Sequence, residues 1–390
     1  MPEAFIVATS RTAGGRRGGR LSGVHPADLA GMVLDALVDR SGVDPELIDD
    51  VIVGCVSQIG EQTSNIGRNA VLASKLPASI PGTTVDRQCG SSQQAVHFAV
   101  QAVMSGTQNV VIAAGIESMS RVPLFSASAV AAKAGMGSYK SPAMERRYPG
   151  VEFNQFYSAE LIAKKYGFTK DDLDEYGFTS QQRAIKATQA GAFFDEILPI
   201  PIVLSDGTSD THVIDEGIRF DVTIEGIRGV KLIAEGGMLT AANSSQVCDG
   251  ASGVLIVNEA GLKQLRVKPL ARIHHISVRG DDPVNMLEAP LPTTRRALKK
   301  AGMSIADIDL YEVNEAFASI PLAWLKVLEA DPAKLNVHGG AIALGHPLGA
   351  SGTKLMTTLI YALRRQGKHW GLQTMCEGGG LANVAIVERL

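Results

Sequence analysis

The chain has 390 residues, a formal net charge of −3 at neutral pH and a hydrophobic content of 45%. That length asks for two or three domains around a large core, and so small a charge supplies no bulk field for nucleic acid or an anionic membrane. The four cysteines, Cys55, Cys89, Cys248 and Cys376, form neither a CxxC pair nor a cluster with histidine at metal spacing, which argues against a metal site or a disulfide framework and for a reducing, cytoplasmic setting.

No apolar run approaches the roughly 20 residues that span a bilayer, and Met1 to Ser10 reads as a strand rather than a signal peptide. Arg11 to Arg20 reads as a basic loop. From His25 to Arg40 apolar residues recur at helical spacing (Leu29, Val33, Ala36, Leu37), with Gly42 as a C-terminal cap and a strand at Val51 to Val56 beyond it. A second strand, Thr83 to Gln88, runs into Cys89, a helix to Met104 and a strand from Asn109 to Gly115. Between Ser118 and Gln246 the composition changes to Pro, Gly, Ser and mixed charge, with helical patterns at Ala159 to Tyr166 and Asp171 to Gln189. Long insertions of this kind are usually binding elements, so this one is the expected substrate and cofactor platform.

The early layout then returns. Ala297 to Val313 parallels Ala36 to Val53, with Gly302 against Gly42, Ile308 against Ile48 and Asp309 against Asp49. The strand, Cys89, helix and strand series is matched by Asn336 to Leu344, His346, a helix to Arg364 and the strand Gly371 to Met375. We read an internal duplication of an α/β unit. It places Cys89 and His346 at equivalent strand-to-helix turns, and because sites in such sheets gather at the carboxyl ends of strands, both halves should build one site.

Cys89 precedes a helix, whose partial positive N-terminus favours the thiolate, and Gly90 keeps the approach open. His346 sits in Gly345-His346-Pro347, where proline biases the preceding residue away from helix and the surrounding glycines permit close approach. Cys376 precedes Glu377 and three glycines whose backbone N–H groups are natural oxyanion donors. Asn314 and Glu315 follow an apolar strand, Ile308 to Val313. The asparagine there can hold a water or a carbonyl, or simply cap a helix.

With CGSSQQA at Cys89, VNEAFA at Asn314, GGAIALGHPLGASG at His346 and the Cys-x-Gly of Cys376 and Gly378, the chain resembles the thiolases of the acetyl-CoA acyltransferase type. The similarity runs through both halves in family order. It implies a five-layered αβαβα fold from two duplicated halves, residues 1–118 with 248–268 and residues 269–390, with a loop domain at 119–247.

The same resemblance implies that His346 activates Cys89 as nucleophile on a 3-ketoacyl-CoA, while Cys376 first protonates the departing enolate and then deprotonates incoming CoA. His346 and a water on Asn314 would bind the enolate oxygen, and the N–H groups of Cys89 and Gly378 the tetrahedral oxyanion. Ser245 falls at the position that contacts pantetheine, and Arg219 resembles the arginine that packs on adenine, although Phe220 replaces the usual proline.

No bound cofactor is implied beyond CoA as co-substrate. A homodimer or homotetramer is expected, and a β-oxidation multienzyme subunit is a possible partner. Asn154, Gln155 and Phe156 stand where short-chain biosynthetic members have His-Met-Gly, which resembles the actinobacterial branch acting on bulky ketoacyl-CoA esters, steroid-derived ones included. The expected function is thiolysis of a 3-ketoacyl-CoA to acetyl-CoA or propionyl-CoA and a shortened acyl-CoA. A biosynthetic acetyl-CoA acetyltransferase and a catalytically silent acyl-CoA binding protein are the alternatives. His338 replaces a usual asparagine near His346, and Glu377 is expected to point outward into solvent.

Overall fold

The computed structural model describes residues 2–204 and 206–390; Met1, counted in the first expected strand, lies outside them. In chain order the first half holds β1 (Ala4–Thr12), α1 (Pro26–Ser41), β2 (Asp50–Gly54), α2 (Ile66–Leu72), β3 (Gly82–Val85), α3 (Ser91–Ser105) and β4 (Val110–Ser118). The insertion contributes α4 (Gln155–Tyr166) and α5 (Lys170–Gln189), after which β5 (Cys248–Val257) returns to the sheet. The remainder is β6 (Ala271–Gly280), α6 (Pro290–Ala301), β7 (Leu310–Val313), α7 (Ser319–Leu328), α8 (Ser351–Gln366), β8 (Trp370–Glu377) and β9 (Leu381–Arg389).

The duplication is visible in the strand order. The first half runs β1-β5-β4-β2-β3 and the second β6-β9-β8-β7, with the Leu335 segment paired parallel to Tyr311 where β3 would be. Directions match as well: the first two contacts in each half are antiparallel, the later ones parallel. Asp49 accepts the N–H groups of Asn109 and Val110 at 2.6 and 3.0 Å, and Asp309 accepts those of His369 and Trp370 at 2.9 Å each. Val110 therefore corresponds to Trp370.

The two half-sheets are not separate. Three antiparallel residue pairs, Ala4 with Ile273, Phe5 with Arg272 and Ile6 with Ala271, join β1 to β6 into one hydrogen-bonded path.

Strand pleating sorts side chains into three cores. In β4, Val110, Ile112, Ala114 and Ile116 pack with Leu29, Val33 and Leu37 of α1 on the outer face, while Val111 and Ala113 face Ala95 and Ala99 of α3 and Met356 and Leu359 of α8. In β9, Ala385 and Val387 join that central core, and Val384 and Ile386 join an outer one with Leu291 of α6 and Trp324 of α7. The layers are thus α, β, α, β, α, with α3 and α8 in the middle. Strands covered on both faces read as continuous apolar runs, which is why every residue of β4 is buried.

The insertion leaves the first half but packs on the second. Ala159, Ile162, Leu173 and Tyr176 share the outer core with Leu291 and Phe317. Ile197 and Leu198 extend the sheet by pairing with Arg11 and Thr12. Arg11 is therefore no surface loop residue. It lies next to the end of β1, fully buried and bonded to Glu196 at 2.6 Å and Asp215 at 2.9 Å, because the insertion supplies carboxylates that make its burial tolerable. No helix among the described residues is long and apolar enough to cross a membrane.

Candidate active site

Both turns that carry the candidate residues are bent by a left-handed residue. Gln88, at φ 49°, precedes Cys89, and Gly345, at φ 80°, precedes His346. Such a φ is rare for a residue with a side chain, and it ends β3 at Val85, short of the expected Gln88. Only glycine fits at 345, where a Cβ would approach Cys248 Sγ to 2.6 Å. The turns are similar rather than superimposable: Cys89 comes two residues before α3, whereas a short 3₁₀ turn, Leu348–Ala350, separates His346 from α8.

His346 is held at every side. Its N–H donates to Gln246 O at 3.1 Å. The Ile342 N–H before it donates to Glu315 at 3.1 Å, and the Gly349 N–H after it to Glu117 at 2.9 Å. Lys354, nearly fully buried on α8, donates to Leu344 O at 2.5 Å and Gly345 O at 3.3 Å.

The ring orientation follows from Ser351. Its hydroxyl donates to Pro347 O at 2.8 Å and so accepts from Nδ1 of His346 at 2.5 Å, which makes Nε2 the unprotonated, accepting nitrogen. Asn314 Nδ2 donates to that Nε2 at 3.3 Å, and Asn314 Oδ1 has no partner. Burial, with help from the Lys354 charge, holds the imidazole down at about 3, so it is neutral at pH 7.

Cys89 is buried among Leu348, Leu355 and Met375, that is, beside the residue before Cys376 and one just beyond His346. The N–H groups of Cys89 and Gly378 donate to no backbone carbonyl among the described residues, and that of Cys89 favours its own thiolate. Gly378 faces Gln88, whose Oε1 lies 3.0 Å from where a Cβ would be. The expected lowering of the Cys89 thiol is not seen. Burial first, and then Glu377, push it up to about 12, because desolvation of a thiolate outweighs the helix end. Burial, Cys89 and Glu377 likewise raise Cys376 well above its ordinary value.

Ser245 donates its N–H to Ala316 O at 2.9 Å, which seats it between the Asn314 and His346 turns. Phe156 stacks edge-on against Phe317, centroids 5.3 Å apart, three residues beyond Asn314. Asn154 acts locally, since its side chain caps α4 by accepting the N–H groups of Phe156 and Tyr157. Arg219 is exposed, with its N–H bonded to Gln181, at the end of a segment whose Asp215 also lies 3.5 Å from Lys354.

His338 packs edge-on against Phe193, whose ring also receives Arg11, and burial holds it neutral, at about 4. Its replacement of asparagine therefore does not touch the ring of His346. Glu377 corrects the expectation more sharply: it is fully buried rather than solvated.

Sequence reasoning missed Glu117, Ser351 and Lys354 and gave Glu315 no role. Glu315 accepts from Tyr176, Ser180, Asn336 and the Ile342 N–H, locking both the Asn314 turn and the His346 turn. A carboxylate directly after Asn314 was the one available signal.

Two thiols, a neutral imidazole, an amide and backbone N–H groups are the kinds of group that acyl transfer requires. Residues 4–260 match the family model "Thiolase, N-terminal domain" and residues 267–389 match "Thiolase, C-terminal domain"; the chain belongs to the thiolase family and is an acyltransferase. It is 49% identical over 392 residues to the steroid 3-ketoacyl-CoA thiolase FadA6 of Mycobacterium tuberculosis, covering 100% of this chain and 95% of that one. A 3-ketoacyl-CoA thiolase of Cronobacter sakazakii is 38% identical over 397 residues, covering both chains in full. Among solved structures, the Bacillus anthracis acetyl-CoA acetyltransferase superposes with a TM-score of 0.91 at 34% identity, over 100% of this chain and 99% of that one.

Proposed function

We propose that the chain is a degradative 3-ketoacyl-CoA thiolase that acts on bulky, steroid-derived or long acyl chains. The carrying observation is the neutral His346, locked through Ser351 with Nε2 unprotonated and bonded only to the Asn314 amide, in a turn packed beside Cys89.

His346 Nε2 takes the Cys89 proton, and Sγ attacks the 3-keto carbon. The bond between C2 and C3 then breaks, its electron pair leaves on the acetyl-CoA enolate, and the acyl group stays on Cys89. Cys376 gives its proton to the enolate and next takes the thiol proton of CoA. The CoA thiolate displaces Cys89, which recovers its proton from His346. His346 and a water on Asn314 stabilise the enolate oxygen, and the N–H groups of Cys89 and Gly378 stabilise the tetrahedral oxyanion.

Burial keeps both thiols protonated at rest, so each thiolate forms only as a partner takes its proton during the reaction. Ser245 contacts pantetheine, Arg219 packs on adenine, and Asn154, through the cap that sets α4, positions Phe156 over the acyl chain. The residue blocks 1–118 with 248–268, 119–247 and 269–390 serve as first half, loop domain and second half. CoA is co-substrate and no resident cofactor takes part.

A cytoplasmic homo-oligomer fits the open edge of β3, with an oxidation multienzyme subunit as a further partner. The 49% identity to a protein named for steroid substrates supports the bulky acyl chain. The structural likeness to an acetyl-CoA acetyltransferase favours a second reading, acetoacetyl-CoA synthesis.

Thiolysis of acetoacetyl-CoA, a linear long-chain and a steroid-derived 3-ketoacyl-CoA, followed by loss of the magnesium-enolate absorbance, distinguishes the two. Higher kcat/KM on the bulky esters is expected. Preference for acetoacetyl-CoA overturns the degradative assignment, and no thiolysis together with no acylation of Cys89 overturns both.

A further inference from the structure

Glu377 follows Cys376 directly at the end of β8, and its side chain lies against the turn of Cys89. It is fully buried, and neither carboxyl oxygen has a hydrogen-bond partner. A Cβ on Gly90 would lie 1.9 Å from Oε1 of Glu377, so the carboxyl rests on the backbone at the N-terminal end of α3.

Glu117 shows what this position lacks. With Val110 corresponding to Trp370, Glu117 of β4 is the counterpart of Glu377 of β8. Glu117 accepts from the N–H groups of Val56, Ser57 and Gly349 and from the Gln62 amide, at 2.8 to 3.0 Å. Four donors can satisfy a carboxylate; Glu377 has none within hydrogen-bond distance, and only the Asn383 N–H comes near enough to favour its charge.

An ionised carboxylate so placed would be strongly disfavoured by desolvation. It would also compete with a Cys89 thiolate for the positive end of α3. The titratable and charged groups around it are Cys89, Cys376 and Arg87, of which only Arg87 favours its charge; Cys89 itself also faces Glu117 and Asp86, which act on it more weakly than Glu377 and are the same in every variant.

We propose that Glu377 carries its proton in the resting enzyme and is a positioning residue for both thiols: neutral, it lets negative charge form on Cys89 and Cys376 in turn, and ionised, it suppresses both. Ionisation releases one proton to solvent and leaves one negative charge beside the thiols. Burial, which raises this carboxyl well above the ordinary range, agrees with that state. The inference rests on the assignment of Cys89 and Cys376 as nucleophile and acid/base.

The test uses the full chain as wild type, Glu377→Gln and Glu377→Asp, each checked by thermal melting. In the infrared difference spectrum at pH 7, a carboxylic-acid carbonyl band present in wild type disappears in Glu377→Gln. Alkylation of Cys89 by iodoacetamide, followed by mass spectrometry across pH, gives the second readout. At pH 7 wild type and Glu377→Gln react within about threefold of each other. At alkaline pH, wild type falls behind by about tenfold or more, since a like charge shifts a neighbouring pKa by about one to three units. Glu377→Asp, which keeps an ionisable group, follows wild type.

Absence of the infrared band, a tenfold gap already at pH 7, or superimposable profiles at all pH values would each overturn the proposal. Neither readout needs turnover, so these failures leave the thiolase assignment standing. A Cys89 that no acyl-CoA acylates in any of the three proteins strikes that assignment instead.

Discussion

Replacing Lys354 with methionine separates the two roles the structure gives it. The ammonium lies 3.5 Å from Asp215, with side chains only 5% and 0% exposed, and it supplies donors to Leu344 O and Gly345 O. Removing one partner of a buried ion pair costs about 3–5 kcal/mol. Asp215 keeps Arg11 and the Gly14 N–H, so the lower end applies, and two carbonyls left without their donor add about 1–2 kcal/mol.

A loss of roughly 4 kcal/mol is a large share of the 5–15 kcal/mol typical of native stability, and corresponds to about 5 °C in a chain of this size. The second effect is electrical. Lys354 helps hold the His346 imidazole down, so its removal raises that pKa and protonates the base at higher pH. Scanning calorimetry and a pH profile of kcat/KM should show a lower melting temperature and an acidic limb moved to higher pH. Lys354→Arg, which keeps the charge, should move the limb far less. An unshifted limb in Lys354→Met would refute the electrical argument, and an unchanged melting temperature the structural one.

Acid should weaken the fold through its buried neutral histidines. Burial holds His97 and His346 at about 3 and His338 at about 4, whereas in the unfolded chain they titrate near 6.5. Their contribution is intact above about pH 6.5 and is lost as pH falls from there towards 3–4, by up to about 1.4 kcal/mol per pH unit for each. His97→Gln should flatten the pH dependence of urea midpoints between 6.5 and 5; an unchanged slope would contradict this. Asn314→Ala removes the amide on Nε2 of His346 and should lower kcat by about a hundredfold with little change in KM, as for other oxyanion donors. A kcat within threefold of wild type counts against that role. Phe156→Ala removes the ring packed on Phe317 and should raise KM for bulky acyl-CoA by about two- to tenfold, as expected for an aromatic contact worth about 0.5–1.5 kcal/mol. Equal effects on acetoacetyl-CoA would show that Phe156 does not select the chain.

The duplication was readable because it is carried by residues with local duties. Asp49 and Asp309 each tie the start of a strand through two adjacent N–H groups, and Gly42 and Gly302 each cap a helix in the left-handed conformation. Such duties depend on near neighbours and repeat with the unit. Glu377 is buried, against the expectation of a solvated side chain, because of the layers around its strand. Cys376 and Glu377 do face opposite sides of β8, but β8 is covered on both, so away from one face means into another core.

From its sequence alone this protein declares the reactive residue types, the turns that bear them and the pairing of two α/β halves, because acyl transfer needs a thiol, an imidazole and open backbone at strand ends. Only the tertiary structure decided that β1 and β6 join the half-sheets, that Arg11 is buried, and that Glu117, Glu315 and Lys354 clamp the His346 turn from three directions. It alone decided the protonation states too. Desolvation is set by every layer packed around a group, and no local stretch of chain contains that information.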